Sequence, residues 1–375
     1  GYHTARVSKI FHMGVPGGVE EGIAKARDNP DYYHGADDAR CWVERYNSPG
    51  PEWKAPGKGE TLQRNPDGTR PVVGGNTFVV VEAEGGDRVH SDGKTAAKAA
   101  ELLRGYANDE KPFWLGVGFV RPHVPFVAPE KYFEPFLPYE KLELPEKVED
   151  DWDDIPKPGI NYCTTENMQM DLRKQKKAVG GYYASVRYVD AMVGEVLTAL
   201  EESGKADETI IIFTSDHGFH LGEHDFWAKV SLRDESSGVP LIISVPGREA
   251  GVSDSFVELL DLYPTTASLC GLEVPERLQG KDISPLLDDP ALEVRKAAFS
   301  VAPMRKGFLL RERDWAFIQY GEEGQNGMEL FDLRRDPRGF TNLAESVEHA
   351  SVVSDFQRKM REKLVEVRDS DLAEK

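Results

Sequence analysis

The sequence predicts an α/β fold, with a predominantly parallel central sheet between helices and a small C-terminal antiparallel sheet and helix. Three observations carry this. Thr209–Phe213 is an unbroken β-branched and aromatic run bounded by polar residues, the pattern of a strand buried on both faces. It is fed by a helix-like segment, Ala178–Ser203, whose Val186, Val189, Val193, Val196, Leu197 and Leu200 form one stripe before Gly204 ends it. That helix-to-strand step is the repeating unit of a doubly wound sheet. From Pro290 onward the texture changes to short strand candidates followed by an amphipathic helix.

In chain order, Val7–His12 reads as a strand end. Gly14–Val73 is rich in Gly, Pro, Asp and Trp without periodicity, a long insertion over one rim of the pocket. Asn76–Glu82 suits a short strand, and Ser91–Tyr106 a helix with Ser91 or Asp92 as cap. Phe113–Phe119 is a second strongly apolar strand. Val239–Val245 is another buried strand, and Asp254–Leu269 reads as a helix ending in Cys270, a buried small apolar residue. Ala297–Val301, Lys306–Arg311, Trp315–Tyr320 and Met328–Leu333 are strand candidates. The final helix places Val352, Val353, Phe356, Met360 and Leu364 on one face.

A chain of 375 residues is long enough for a large core. Its net charge of -19 predicts no nucleic-acid partner, because a phosphate backbone needs Lys and Arg to displace its counterions. No run approaches the length of about eighteen apolar residues that a spanning helix needs, so no membrane partner is expected. An anionic substrate must then be met by a local cationic pocket. The three cysteines, Cys41, Cys163 and Cys270, have no metal-ligand spacing.

In open α/β sheets ligands bind outside the carboxyl ends of strands. Just past Phe213 lie Ser215, Asp216, His217 and Gly218, and an Asp beside a His there suits a metal or acid/base site. After a loop containing Gly218 and Gly222, Trp227-Ala-Lys229 returns a cation towards it. Lys9 and His12 flank two apolar residues at another strand end. Pro122 and Pro125 fix the backbone around His123. The run Glu149–Asp154 is a solvated acidic face.

The stretches SDHG, LGEH and FWAK, followed by Val239–Gly247, resemble the sulfatase family of the alkaline phosphatase superfamily. The match is closest to its iduronate-2-sulfatase-like branch. G-Y-x-T-x-x-V-S-K-I-F-H at Gly1–His12, K-P-F-x-L-x-V-G-x-x-R-P-H-x-P-F at Lys111–Phe126 and Leu278–Asp282 are similar to the same family. The resemblance implies a sulfatase-like α/β/α sandwich, with a catalytic domain over 1–290 and a C-terminal subdomain over 291–375. It implies Asp216 and His217 as ligands of a divalent cation, calcium in this family. Lys229 and His123 would contact sulfate, and Lys9 and His12 would steady the nucleophile and the developing charge. The implied substrate is a sulfated carbohydrate, and the implied location periplasmic, secreted or lysosomal.

Family members carry formylglycine, made from Cys or Ser in a C/S-x-P/A-S-R motif, and paired aspartates near the start of the domain. The segments after Cys41, Cys163 and Cys270 do not fit that motif. The expectation is a chain covering the C-terminal two-thirds or so of a sulfatase, with the nucleophile upstream of Gly1. A phosphodiesterase or phosphonate hydrolase of the superfamily, or a non-catalytic sulfated-glycan binder, would share the anion pocket. His220-Leu-Gly-Glu-His224 also fits the H-x-x-E-H pattern of inverted zinc proteases, which needs a helix.

Overall fold

The computed structural model describes residues 1–12, 14, 37–302 and 307–368. They form two compact units: Gly1–Leu144 with Thr165–Thr209, and Pro145–Thr164 with Ile210–Lys375. Position 290, where the composition changes, lies inside the second unit. Residues 15–36 of the expected rim insertion lie outside the described residues.

In the first unit β1 (His3–Ser8) is the centre of a parallel sheet, with β2 (Glu44–Tyr46) on one side and, further along the chain, Phe113–Gly118 on the other. A second sheet pairs β3 (Gly57–Thr61) antiparallel to β4 (Val79–Ala83), and β4 parallel to Phe126–Pro129. Phe113–Gly118 is β5 and Phe126–Pro129 is β6. Helix α1 (Ser91–Gly105) covers the first sheet, packing Leu102 and its flanking Tyr106 on Ala5 and Val7. Its N-cap is His90, not Ser91 or Asp92. Both of those side chains are spent on tertiary bonds: the Ser91 hydroxyl donates to the Ser48 carbonyl at 2.6 Å, and Asp92 reaches the loop after β5.

After a short helix, α2 (Thr165–Met168), the long helix α3 runs Leu172–Glu202 and starts earlier than the sequence suggests. Asp171 caps it by accepting from Lys174 N–H at 2.9 Å. The expected apolar stripe is buried at Leu200 and half-buried at Val189, Val193 and Val196, but it is not the centre of the buried face. Val186 and Leu197 are 40% and 39% exposed, whereas Gly181, Ala184, Ser185, Tyr188 and Met192 are buried. Hydrophobicity misleads here because the contact is made by small residues: a Cβ on Gly181 would sit 2.6 Å from Val80 Cγ2. The helix approaches β4 and β6 closely only because that atom is missing.

In the second unit β7 spans Ile211–Thr214 and pairs antiparallel with Leu241–Ser244. It is not buried on both faces. Phe213 and Ile242 are register partners, 43% and 59% exposed, because each strand of this ribbon turns alternate side chains outward. A hairpin follows β7, made of β8 (His220–Leu221) and β9 (Trp227–Ala228). Next come α4 (Asp234–Ser237) and β10, the Leu241–Ser244 partner of β7. Helix α5 is Leu262–Leu269, shorter than expected. Glu258 and Asp261 form a reciprocal capping box on a 3₁₀ turn, Leu259–Asp261, that leads into it, and residues 254–258 are not helical. Cys270 is half-buried rather than fully buried.

The C-terminal expectation holds closely. β11 (Ala297–Ala302), β12 (Gly307–Glu312), β13 (Trp315–Tyr320) and β14 (Met328–Asp332) form an antiparallel meander. Residue 306 lies outside the described residues. Leu310, Phe317 and Leu330 pack on Val353, Phe356, Met360 and Leu364 of α6 (Ala350–Arg368). Leu309, Ala316, Ile318 and Phe331 turn to the other face and meet Leu232. No described helix is long and apolar enough to cross a membrane.

The His220–His224 pattern lies in the hairpin. His220 is in β8, Gly222 has φ 116° and His224 φ 57°, so the two imidazoles do not share a helical face. His224 Nδ1–H donates to Asp151 at 2.9 Å. His220 is fully buried with its ring edge-on to Phe226, and neither ring nitrogen has a hydrogen-bond partner. Burial, with smaller contributions from His224 and Arg233, pulls its pKa down to about 3.

Two measurements test these placements. Gly to Ala in an open helix stabilises by about 1 kcal/mol, but Gly181→Ala should destabilise by about 1–3 kcal/mol in urea unfolding because the site is already full. Val186→Ser on the exposed face should stay within about 0.5 kcal/mol. Between its ordinary pKa and about 3, His220 binds a proton only when unfolded, so stability is lost as pH falls below about 6.5. Relative to His220→Leu, the parent chain should therefore lose about 1.4 kcal/mol per pH unit, or about 2–3 kcal/mol from pH 6.5 to 4.5.

Candidate active site

In the first unit the register Ser8↔Gly118 brings the carboxyl ends of β1 and β5 level, and the chain turns off the sheet at both. Lys9 continues the ladder, its N–H donating to the Gly118 carbonyl at 3.0 Å. That approach requires glycine, since a Cβ at 118 would lie 1.9 Å from the Lys9 carbonyl oxygen. Ser8 takes φ 65°, and its carbonyl is held by the guanidinium of Arg6 beneath it. Arg6 is buried and ion-pairs with Asp37 at 3.0 Å, while Trp42 Nε1–H donates to the same carboxylate at 2.6 Å. Lys9 is half-buried and His12 exposed. Both follow a strand end, as the sequence implies.

His123 stands in the loop between β5 and β6. Its amide donates to the Val120 carbonyl at 3.0 Å, and its Nδ1–H donates to the Val124 carbonyl at 2.6 Å. A carbonyl can only accept, so this bond fixes the tautomer and assigns ligand chemistry to Nε2. Pro122 and Pro125 flank it as the sequence suggests.

In the second unit Asp216 and His217 follow β7, and Lys229 follows β9 after Ala228 at φ 66°. The two turns are tied together by Ser236 of α4. Its carbonyl accepts the Gly218 N–H at 2.8 Å, and its hydroxyl donates to the Lys229 carbonyl. Gly218 is needed for this contact, because a Cβ there would lie 2.1 Å from the Glu235 carbonyl oxygen. The sequence reading missed Ser236, a small polar residue in a segment without a motif. It also missed the buried charges Arg6 and Glu52, and it reads Asp92 only as a helix cap and Arg121 only as part of a motif.

Asp216 Oδ2 and His217 Nε2 are 3.6 Å apart, a spacing that lets both reach one ion at about 2.0–2.6 Å. His217 Nδ1–H donates to the Gly218 carbonyl at 2.7 Å, the arrangement that orients a ligating imidazole through its other nitrogen. These two residues fit part of a coordination shell. Among the described residues there is no group of three or more His, Cys, Asp or Glu arranged to complete one. In the acidic run, Asp151 holds His224 and Asp154 accepts the Asn342 N–H at 2.8 Å, so both serve the fold.

Comparison with known proteins agrees with the motifs. The profile of the family described as Sulfatase matches residues 25–272, and that described as N-sulphoglucosamine sulphohydrolase, C-terminal, matches 222–368. A sulfatase of Formosa agariphila is 28% identical over 94% of this chain and 66% of its own length. Human iduronate 2-sulfatase is 30% identical over 74% of this chain and 54% of its own. The chain thus spans about half to two-thirds of such relatives. A solved structure in complex with its substrate D-glucosamine-2-N,6-O-disulfate superposes with TM-score 0.73 at 20% identity, covering 100% of this chain and 82% of that one. A phosphonate monoester hydrolase from Silicibacter pomeroyi gives TM-score 0.67 at 22% identity, covering 83% and 65%. The fold is therefore the sulfatase-like α/β fold. The iduronate branch is one of several at similar identity, and arylsulfatase and choline-sulfatase relatives stand beside it. On the extent of the 25–272 match, this chain belongs to the sulfatase family.

Proposed function

We propose that the protein of which this chain is the sequence hydrolyses a sulfate ester of a carbohydrate, with specificity of the iduronate-2-sulfatase kind. The observation that carries the reading is the Ser236 tie, which joins an Asp-His pair and a lysine-bearing turn within one unit. Such a site answers the demand of sulfate-ester cleavage, in which negative charge grows on the sulfate oxygens and on the departing alcohol. The family resemblance, human iduronate 2-sulfatase and the disulfated glucosamine complex support the carbohydrate part.

In this reading Asp216 and His217 hold a divalent cation, calcium in the family, which when bound polarises a sulfate oxygen. The Lys229 ammonium binds and orients the sulfate. His123, with Nδ1–H committed to the Val124 carbonyl, presents Nε2 to the sulfate, and when the ring is protonated its Nε2–H donates a hydrogen bond to a sulfate oxygen. Lys9 places a cation at the end of β1, and His12 lies beyond it. The nucleophile that the resemblance implies is formylglycine, and the segments after Cys41, Cys163 and Cys270 do not carry its motif. The zinc-protease alternative finds its H-x-x-E-H residues in a hairpin with Gly222 and His224 at positive φ.

In a protein extended to the length of its relatives, Lys229→Ala and His123→Ala should each lower kcat on a sulfated monosaccharide by about 10²-fold or more, the cost of a preorganised charge-stabilising donor. His220→Ala and His224→Ala should cost less. Casein digestion that needs the two loop histidines and ignores Lys229 would reverse the assignment. Calorimetry should show weak calcium binding by residues 1–375, diminished by Asp216→Ala and strengthened in the extended protein. Equal affinity in all three would place the cation elsewhere.

A further inference from the structure

We propose that Asp92, Arg121 and Glu52 are positioning residues that clamp the loop carrying His123, so that the imidazole is delivered in one orientation by a buried charge network. This deepens the reading of His123 given above and rests on it. The network lies wholly within the first unit. Asp92, in the first turn of α1, is 2% exposed, and its two carboxylate oxygens accept from Val120 N–H at 2.7 Å and Arg121 N–H at 2.9 Å. The helix thereby grips the chain where it leaves β5.

Arg121 completes the clamp. Its guanidinium Nε–H donates to the Val127 carbonyl of β6 at 2.8 Å, and one terminal nitrogen donates to the carbonyl of His123 itself at 3.2 Å. The other terminal nitrogen donates to Glu52 in a pair whose side chains are 2% and 1% exposed. With its own amide on Val120, His123 has both its backbone N–H and its C=O fixed. Arg121 is therefore not a sulfate-binding cation, although it precedes Pro122-His123 in the motif. Its three donor groups are committed behind the loop.

The arrangement is expensive. Glu52 takes φ 49°, and its loop needs Gly50, where a Cβ would lie 2.8 Å from Ser91 N and 3.0 Å from Glu52 Oε1. Burial alone would pull the Arg121 pKa down, but Glu52 and Asp92 raise it on balance. Burial pushes the Asp92 carboxyl up against the opposing influence of Arg121 and the two N–H bonds. A buried ion network is weak evidence for stability, since apolar residues of similar size do as well. What it provides is one geometry for the backbone on both sides of His123, and misplacement of a catalytic group by about 1 Å can cost about 10²-fold in rate.

Two readouts test this. In the 375-residue chain, imidazole ¹⁵N–¹H spectra, with His123 assigned by its loss in His123→Gln, should show the His123 resonances shifted or broadened by Asp92→Asn and by Glu52→Gln, with His349 unchanged. Unaltered His123 resonances in both folded variants would overturn the clamp. In the extended protein with p-nitrophenyl sulfate, Asp92→Asn should lower kcat by about 10²-fold alone but less than about 3-fold in a His123→Ala background. If His123→Ala is costly and Asp92→Asn adds the same factor in both backgrounds, His123 keeps its role and the clamp is refuted. If His123→Ala leaves kcat intact, the reading of His123 fails and the clamp's catalytic meaning with it. Should Asp92→Asn fail to fold, Glu52→Gln, which preserves both Asp92 bonds, takes its place in the cycle.

Discussion

The buried arginine–carboxylate pair is the interaction on which this structure most depends. Arg6–Asp37 supports the end of β1, Arg121–Glu52 the loop after β5, Arg233–Glu329 the meander and Arg295–Asp261 the entry to α5. Removing one partner of such a pair leaves an uncompensated buried charge, at a cost of about 3–5 kcal/mol. In a chain of net charge -19 these guanidiniums are matched one by one inside the fold. The lysines of the proposed site stand on turns instead: Lys229, read as a sulfate contact, has its carbonyl held by Ser236, and Lys9, read as steadying the nucleophile and the developing charge, has its N–H on Gly118.

The histidines are fixed by a different bond, to a neighbouring carbonyl. His123 and His217 each donate Nδ1–H to the carbonyl of the next residue, at 2.6 and 2.7 Å. One is read as a sulfate contact and the other as a metal ligand, yet the physical problem is shared: a ring with two nitrogens must offer one in a known state. His220 is the contrast. It offers neither nitrogen, is enclosed beside Phe226 and stays neutral over most of the pH scale. That difference separates a histidine held so as to present one nitrogen from one that serves as part of a core.

Much of this was legible in the sequence because period and punctuation coincide with structure where packing is simple. The C-terminal meander and α6 follow alternation and a 3.6-residue stripe almost residue for residue. Legibility failed where small or charged residues carry the contact. The buried face of α3 is built on Gly181, Ala184 and Ser185, which hydrophobicity overlooks, and β7 looked double-sided because its pattern cannot name what covers Phe213. The recognised positions Asp216, His217, Lys229 and His123 fall on strand-end turns as their motifs imply. The residues behind them act through long-range bonds that any local pattern would miss, Ser236 and Asp92 on backbone groups and Glu52 on the Arg121 guanidinium.

The central claim is that these turns are built for a sulfate ester rather than another tetrahedral anion, although a phosphonate monoester hydrolase shares the fold. The most direct measurement is kcat/KM of the protein at the length of its relatives on p-nitrophenyl sulfate and on p-nitrophenyl phenylphosphonate, side by side. The account predicts that the sulfate ester is the better substrate and that a sulfated uronic acid derivative is better still. A protein that turns over the phosphonate faster and leaves the sulfate esters intact would contradict it.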